Sequence, residues 1–203
     1  MIKVDIGKCT GCRMCETACS FFHTGAINRH MSRIKVIHHY GTGVDGPVLC
    51  RQCEERYCMD CPSNALSIGA LGQVIASPTL CTLCKGSATP TAKGTASTLT
   101  GGHNKKVYFS GKLSQGISKK CERNCPIGAI EIFNDIVYVC DLCGGSPRCV
   151  AACSEGALSF VPEEKETISL QNLVIESKKM NPTEKRSLYI AEQGQKLRDT
   201  WRN

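Results

Sequence analysis

The sequence is poor in the features that hold most proteins of its size together or direct them to a membrane. Only 5% of its 203 residues are aromatic, and no stretch approaches the roughly 18 consecutive apolar residues of a membrane-spanning helix. The N-terminus MIKVDIGKCTGC lacks an apolar signal region, a twin arginine and a cleavage site. We therefore expect a cytoplasmic protein without a membrane span, whose stability depends on more than an ordinary apolar core.

Cysteine is the residue present in excess, with 16 copies. A disulfide scaffold would need an oxidising compartment, and the missing secretory signal argues against one. In a reducing cytoplasm the thiols stay free and bind metal. The composition therefore favours metal ligation over disulfide bonding.

The positive net charge of +7 is confined to one segment of the chain. Between Cys84 and Cys121 there is no acidic residue and there are seven lysines: Lys85, Lys93, Lys105, Lys106, Lys112, Lys119 and Lys120. The remainder has 25 − 7 = 18 basic residues against 18 acidic ones. A nucleic-acid interface would need interleaved aromatic residues, and the segment offers only Tyr108 and Phe109. We therefore expect no nucleic-acid partner.

The sixteen cysteines form four groups of four along the chain. The groups are Cys9, Cys12, Cys15 and Cys19; Cys50, Cys53, Cys58 and Cys61; Cys81, Cys84, Cys121 and Cys125; and Cys140, Cys143, Cys149 and Cys153. The first, spaced C-x2-C-x2-C-x3-C, is typical of three thiolates around one iron–sulfur cube and a fourth that turns toward a second cube. Zinc sites use two C-x2-C knuckles with a longer spacer, so the first group favours [4Fe–4S]. On their own, the second and fourth groups would also allow zinc.

A short repeat follows the last cysteine of three groups, in the forms CPSNALSI, CPIGAIEI and CSEGALSF. Each form predicts a turn from a cluster-binding segment into a β-strand. Partner strands are predicted from apolar alternation at 2–6, 33–39, 72–76 and 136–139. Short strands, loops and one-turn helices in this order predict an α+β fold of two nested βαββαβ units of the bacterial ferredoxin type.

The third group is interrupted between Cys84 and Cys121. Removing residues 86–119 joins Lys85 to Lys120 and gives CTLCKKCERNCPIGAI, which contains a complete C-x2-C-x2-C-x3-C-P motif. The segment is therefore an insertion in a tight ligand loop. Three interpretations stay open: a solvated loop, whose closure costs little entropy, a basic docking element for an acidic partner, or a sequence foreign to the mature protein.

Several motifs together resemble those of the four-cluster ferredoxin-like electron-transfer subunits. They are CTGCRMCETACSFFHTG, SRIKVI, VLCRQCEERYC, CPIGAI and CDLCGGSPRCVAACSEGALSFV. The family includes the iron–sulfur subunits of dimethyl sulfoxide reductase-type molybdoenzymes and of formate-linked and carbon monoxide-linked hydrogenases. SRIKVI and the CDLCGG stretch are most similar to the polyferredoxin subunit of tungsten-dependent aldehyde ferredoxin oxidoreductases. The resemblance covers residues 1–162 apart from the insertion.

The resemblance implies four [4Fe–4S] clusters, with paired motifs exchanging their fourth cysteines. The implied ligand sets are Cys9, Cys12, Cys15 and Cys153 for the first cluster; Cys140, Cys143, Cys149 and Cys19 for the second; Cys50, Cys53, Cys58 and Cys125 for the third; and Cys81, Cys84, Cys121 and Cys61 for the fourth. The chain departs from the family at two further places. Only Met59 and Asp60 separate Cys61 from the preceding cysteine, one residue fewer than in the family, which would turn Cys61 by about 100° on a helix. Ser154 stands where the family has proline.

No residue set predicts bond-making catalysis, because the chain has no Walker loop, no dinucleotide fingerprint and no nucleophile with a base nearby in sequence. The glycine-rich stretch GTGVDG at 41–46 predicts a hairpin loop. The five histidines lack ligand spacing, although His23 follows Cys19 closely enough to hydrogen-bond near a cluster.

The cysteine-free tail at 163–203 predicts a helix with Asn181 as N-cap and Pro182 at its first position. Its candidate apolar contacts are Leu188, Leu197 and Trp201. The tail is expected either to pack on the four-cluster domain at 1–162 or to dock on another subunit.

These observations predict a subunit that conducts single electrons between a catalytic oxidoreductase subunit and a further redox protein. The resemblance indicates a tungsten or molybdenum pterin enzyme as the catalytic partner. One alternative is the iron–sulfur subunit of a carbon monoxide dehydrogenase–hydrogenase or formate system. Another is a zinc-stabilised binding module with the basic segment as its contact surface.

Overall fold

Short helices and short strand pairs alternate along the chain. The computed structural model describes residues 1–85, 119–162, 177 and 179–202. The insertion predicted at 86–119 lies outside the described residues apart from Lys119, as does the start of the predicted tail at 163–176.

Eight short strands in the described residues form four antiparallel pairs. The strands are β1 (Ile2–Val4), β2 (Lys35–His39), β3 (Val44–Val48), β4 (Leu66–Ile68), β5 (Val74–Ala76), β6 (Glu131–Phe133), β7 (Ile136–Tyr138) and β8 (Leu158–Phe160). Three pairs are hairpins of consecutive strands, whereas β1 pairs with β8, so that Ile2 faces Phe160. The partner strands predicted from the sequence are confirmed, each one or two residues shorter than expected. The loop predicted at 41–46 is also shorter, because β3 begins at Val44.

Four α-helices and several 3-10 turns lie between the strands in the described part of the chain. The helices are α1 (Met14–Thr24), α2 (Lys120–Asn124), α3 (Arg148–Ala151) and α4 (Pro182–Arg202). The 3-10 turns are Ile6–Lys8, Arg29–Met31, Tyr57–Met59, Leu83–Lys85 and Leu142–Gly145. None of the described helices combines the length and the apolar character that crossing a membrane requires.

Helix α4 begins as the sequence predicts. Asn181 Oδ1 accepts a hydrogen bond from the Glu184 backbone N–H at 3.0 Å, and the Asn181 N–H donates to Glu184 Oε2 at 2.8 Å. This reciprocal pair is a capping box, and Pro182 occupies the first helical position without losing a hydrogen bond.

The inner face of α4 packs on the β2–β3 hairpin through Tyr189 and Ile190, which are 6% and 1% exposed. Leu188 packs against the apolar core that contains Tyr189 and Ile190, and Leu197 lies beside Gly7. Trp201, the third candidate contact, does not pack on its own chain, since its side chain is 69% exposed. The tail helix therefore rests on its own chain along much of its length.

Two apolar cores hold the cysteine-bearing segments. One contains Ile2, Ile34, Val36, Leu49, Leu142 and Leu158. The other contains Val48, Leu66, Val74, Ile127, Ile130, Ile132, Val139, Tyr189 and Ile190. Cys50 packs against both cores and joins them. This mixture of helices and strand pairs makes the chain an α+β protein, while its division into nested ferredoxin-like units stays a prediction.

Candidate metal centres

The first pocket lies at the start of α1. It is lined by Cys9, Cys12, Cys15 and Cys153, together with Val36, Pro47 and Leu158. Three of these thiols come from the first cysteine motif, and Cys153 comes from the loop after α3. Burial, followed by the charge of the neighbouring Cys149, raises the pKa of Cys15 to about 12. Four sulfur donors from two distant segments therefore meet in one apolar pocket.

The second set of thiols lies where α1 packs against α3. It consists of Cys19, Cys140, Cys143 and Cys149. Burial and then the charge of Cys19 raise the pKa of Cys143. Burial and then the charges of Cys19 and Cys143 raise the pKa of Cys149 to about 12. The backbone N–H of Arg33 donates to Cys19 Sγ at 3.3 Å. A sulfur that accepts such a bond is stabilised as a thiolate.

The third set of thiols also lies in a pocket, and its fourth cysteine comes from a different motif than the other three. The pocket is lined by Cys50, Cys53, Cys58 and Cys125, with Tyr57, Val74, Ile127 and Ile130 around them. Burial raises the pKa of Cys50 to about 12, and burial together with the charge of Cys125 raises that of Cys53 to about 11. Such thiols lose their protons when a metal ion supplies the compensating positive charge.

The two ends of the insertion meet at the fourth set of thiols. Burial, and then the charges of Glu122, Cys84 and Cys81, raise the pKa of Cys121 to about 12. Charges act in this way only from nearby, so the three cysteines of the interrupted motif lie close together. The backbone N–H of Lys120 donates to Cys84 Sγ at 3.3 Å. The chain therefore returns to the point that it left, as a ligand loop with an insertion requires.

Cys61, the remaining cysteine of this set, is held in a turn that matches the turn of Cys125. Burial alone would raise the pKa of Cys61, but hydrogen bonds from Ser63, Ala65 and Leu66 outweigh it and lower the pKa. For Cys125 the donors are Ile127, Ala129 and Ile130, at the same offsets of two, four and five residues. The shorter spacing before Cys61 therefore leaves its turn unchanged.

The loop before Cys61 packs on the helix that carries Cys121. Asp60 Oδ2 accepts a hydrogen bond from Asn124 Nδ2 at 3.4 Å and lies 3.5 Å from Lys120 Nζ. These contacts bring the last turn of the second motif to α2. The ligand role of Cys61, like that of the other fifteen cysteines, stays a prediction.

Two buried glutamates brace the ligand helices in the same way. Glu16 Oε1 accepts from the Val36 backbone N–H at 2.7 Å, and Glu122 Oε1 accepts from the Ile132 N–H at 2.7 Å. Each follows the third cysteine of its motif, in CET and CER. Glu16 also pairs with arginine side chains, including Arg29 at 3.0 Å. Neither glutamate was predicted from the sequence, although their shared place in the repeated motif could have identified them.

His23 lies beside the second set of thiols, as its place in the sequence predicted. Its Nε2 atom is 3.5 Å from Cys143 Sγ and 3.4 Å from Asp141 Oδ1. An ion pair with Arg33 holds the Asp141 carboxylate in place. Burial and then the Arg33 charge lower the pKa of His23, so this side chain acts as a neutral hydrogen-bonding group.

The donor sets fit iron–sulfur clusters. All sixteen cysteines are free thiols, six of them are buried in the two apolar cores, and backbone N–H groups point at several of the sulfur atoms. An additional example is the Ala129 N–H, which donates to Cys125 Sγ at 3.2 Å. Such N–H···S bonds are a feature of protein-bound iron–sulfur clusters.

No protein-family model matches the chain. The polyferredoxin-like subunit of an aliphatic sulfonate oxidoreductase from Pyrococcus furiosus is 31% identical over 158 residues, which are 76% of this chain and 71% of that protein. A protein from Escherichia coli K12 named as an electron transport protein, YsaA, is 30% identical over 181 residues, 81% of this chain and 90% of its own length. Among solved structures, a chain of the BamBC complex of benzoyl coenzyme A reductase is 22% identical with a TM-score of 0.36 and 87% coverage of each chain.

Proposed function

This chain belongs to the family of polyferredoxin-like electron-transport subunits of oxidoreductases, and we propose from that premise that it conducts single electrons through four [4Fe–4S] clusters. The observation that carries the proposal is the meeting of thiols from distant motifs: Cys153 joins the first motif, and Cys125 joins the second. An exchange of this kind matches the ligand sets that the sequence resemblance implies.

The same exchange supports a fold of two nested ferredoxin-like units within residues 1–162, with 163–203 as a tail. The outer unit is closed by the pairing of β1 with β8, and the hairpins β4–β5 and β6–β7 lie between them in the chain. Each fourth cysteine is supplied across a unit, so that neither motif of a pair completes its cluster alone.

The order of the four clusters follows from shared elements. The first and second sets share α1, which contains both Cys15 and Cys19. The third and fourth sets share α2, which contains Cys121 and has Cys125 as its C-cap. Cys50 of the third set packs against the apolar core that contains Cys140, and its charge is among the causes that raise the pKa of Cys140, so the second and third sets are neighbours. This supports a conducting path from the first cluster to the fourth in numerical order.

A [4Fe–4S] cluster takes up and returns one electron. The residues of this chain hold the sulfur ligands, exclude water with the two apolar cores, and direct N–H groups at the ligand sulfurs. Donors such as the Lys120 N–H to Cys84 and the Arg33 N–H to Cys19 stabilise negative charge on sulfur and thereby favour the reduced state.

The catalytic partner in this proposal is a tungsten or molybdenum pterin oxidoreductase subunit, and a second redox protein takes or supplies the electrons at the other end. The similarity to a subunit of a sulfonate oxidoreductase supports a partnership with a catalytic subunit. Co-purification would identify it. A nickel enzyme in the complex would favour the carbon monoxide or formate alternative instead.

Iron and sulfide analysis of anaerobically purified protein tests the cluster count. We expect about sixteen iron atoms per chain, four for each cube, and a brown protein with reducible cubane EPR signals. Cys53→Ala should reduce the count to about twelve, whereas Ser67→Ala, a matched exposed position on β4, should leave it unchanged. A colourless protein loaded with zinc would instead establish the zinc-stabilised binding module.

A further inference from the structure

Lys185, on the inner face of α4, is fully buried, with 0% of its surface exposed. Its Nζ atom donates hydrogen bonds to three backbone carbonyls, those of Glu122 and Cys125 at 3.0 Å each and that of Arg123. These carbonyls belong to the end of α2, whose last turn leaves acceptors without helical partners. The tail helix therefore places a cation against the segment that carries Cys125.

The number of acceptors defines the protonation state of this side chain. A neutral amine has two N–H bonds, whereas an ammonium group has three and accepts none. Because three carbonyl oxygens surround Nζ, all three donors are used and Lys185 carries a full positive charge. Burial lowers its pKa, but the charges of Cys125 and Glu122 act in the opposite direction and favour the ammonium form.

The charge acts on a ligand of the third cluster. Lys185 is among the groups that lower the pKa of the Cys125 thiol, which burial otherwise raises. The carboxylate of Glu122 makes its hydrogen bond elsewhere, since its Oε1 accepts from the Ile132 N–H at 2.7 Å. The positive charge of Lys185 therefore has no ion-pair partner among the contacts described for it.

We propose that Lys185 sets the reduction potential of the third cluster by stabilising its reduced, more negative state. The inference rests on the proposed function, because it needs a cluster bound by Cys50, Cys53, Cys58 and Cys125. Reduction adds one electron to the cluster, and the fixed ammonium lowers the energy of the added charge without moving a proton. A unit charge a few ångströms away in a poorly solvated region changes such an equilibrium by about tenfold or more.

The test is an EPR-monitored redox titration of the full chain with its clusters bound. Lys185→Met removes the charge and keeps the apolar stem, and Lys185→Gln removes the charge and keeps a donor. The control is Lys196→Met, which removes an exposed charge from the same helix. Cys53→Ser, which alters one ligand of the third cluster, identifies the signal that belongs to it.

We expect both Lys185 variants to make reduction of the third cluster about tenfold less favourable, which is a fall of about 59 mV for a one-electron couple. The other three potentials and the Lys196→Met titration should not change. Unchanged potentials in a variant with full iron content would overturn the inference. Loss of the cluster in both Lys185 variants would also overturn it and make Lys185 a structural clamp only. A parent protein without clusters would refute the proposed function itself, so the two failures are distinguishable.

Discussion

A single glycine controls how closely α4 approaches the cluster-binding segment. Gly128, in CPIGAI, has a φ of +66°, and a Cβ atom at this position would lie 2.3 Å from the carbonyl oxygen of Pro182 and 3.2 Å from Lys185 Cβ. Gly156 occupies the equivalent place in CSEGAL with a φ of +62°, but a Cβ there would meet nothing within 4 Å. A comparison of Gly→Ala variants at these two positions therefore separates the cost of backbone strain from the cost of contact with α4.

Both Gly→Ala substitutions place an alanine in the left-handed region, at a cost of about 1–2 kcal/mol. In Gly128→Ala the start of α4 must also move by about 1 Å to restore ordinary contact, and overpacking of this kind costs about 1–3 kcal/mol. We therefore expect Gly128→Ala to be less stable than Gly156→Ala by about 1–3 kcal/mol.

Anaerobic thermal unfolding of the two variants, followed by circular dichroism, measures the difference. Limited proteolysis should also release α4 faster from Gly128→Ala than from Gly156→Ala, because the displaced helix loses hydrogen bonds of Lys185 and Arg186 to the body. Equal stabilities and equal cleavage rates would refute the close approach of α4 to Gly128.

Three further predictions concern the bracing glutamates, the tail helix and the fourth cluster. Glu16→Gln should destabilise the protein by about 1–3 kcal/mol because it weakens buried, charge-assisted hydrogen bonds, and Glu122→Gln should destabilise it less. Because burial raises the pKa of Glu122, the stability of Glu122→Gln relative to the parent should improve as pH rises through that pKa. Unfolding curves of both proteins at pH 4 and pH 7 that show the opposite trend would contradict this assignment. Ile190→Ala should cost about 2–5 kcal/mol in chemical denaturation, whereas Trp201→Ala should stay within about 0.5 kcal/mol; similar costs would show that α4 is not anchored through Ile190. Cys61→Ala should reduce the iron content from about sixteen to about twelve atoms, and an unchanged iron count would remove Cys61 from the ligand set.

The sequence predicted the local features correctly because they depend on residues a few positions apart. The partner strands, the capped start of α4 and the α+β class follow from alternation, capping residues and turn signals, each of which acts within one or two turns of chain. The sequence left open whether Trp201 would contact its own chain or another subunit, because apolar character alone does not say which segment covers a side chain, and in the structure it is 69% exposed.

The amino-acid sequence by itself determined that sixteen thiols form four groups, and the family resemblance added which fourth cysteine each pocket would take. Only the tertiary structure brought Cys153 to the first pocket and Cys125 to the second motif, closed the insertion with the Lys120–Cys84 hydrogen bond, and buried Lys185 against α2. The physical reason is the range of the interactions. Spacing in a motif sets local backbone geometry, whereas these contacts join segments separated by dozens to more than a hundred residues, and they form only when the two apolar cores pack.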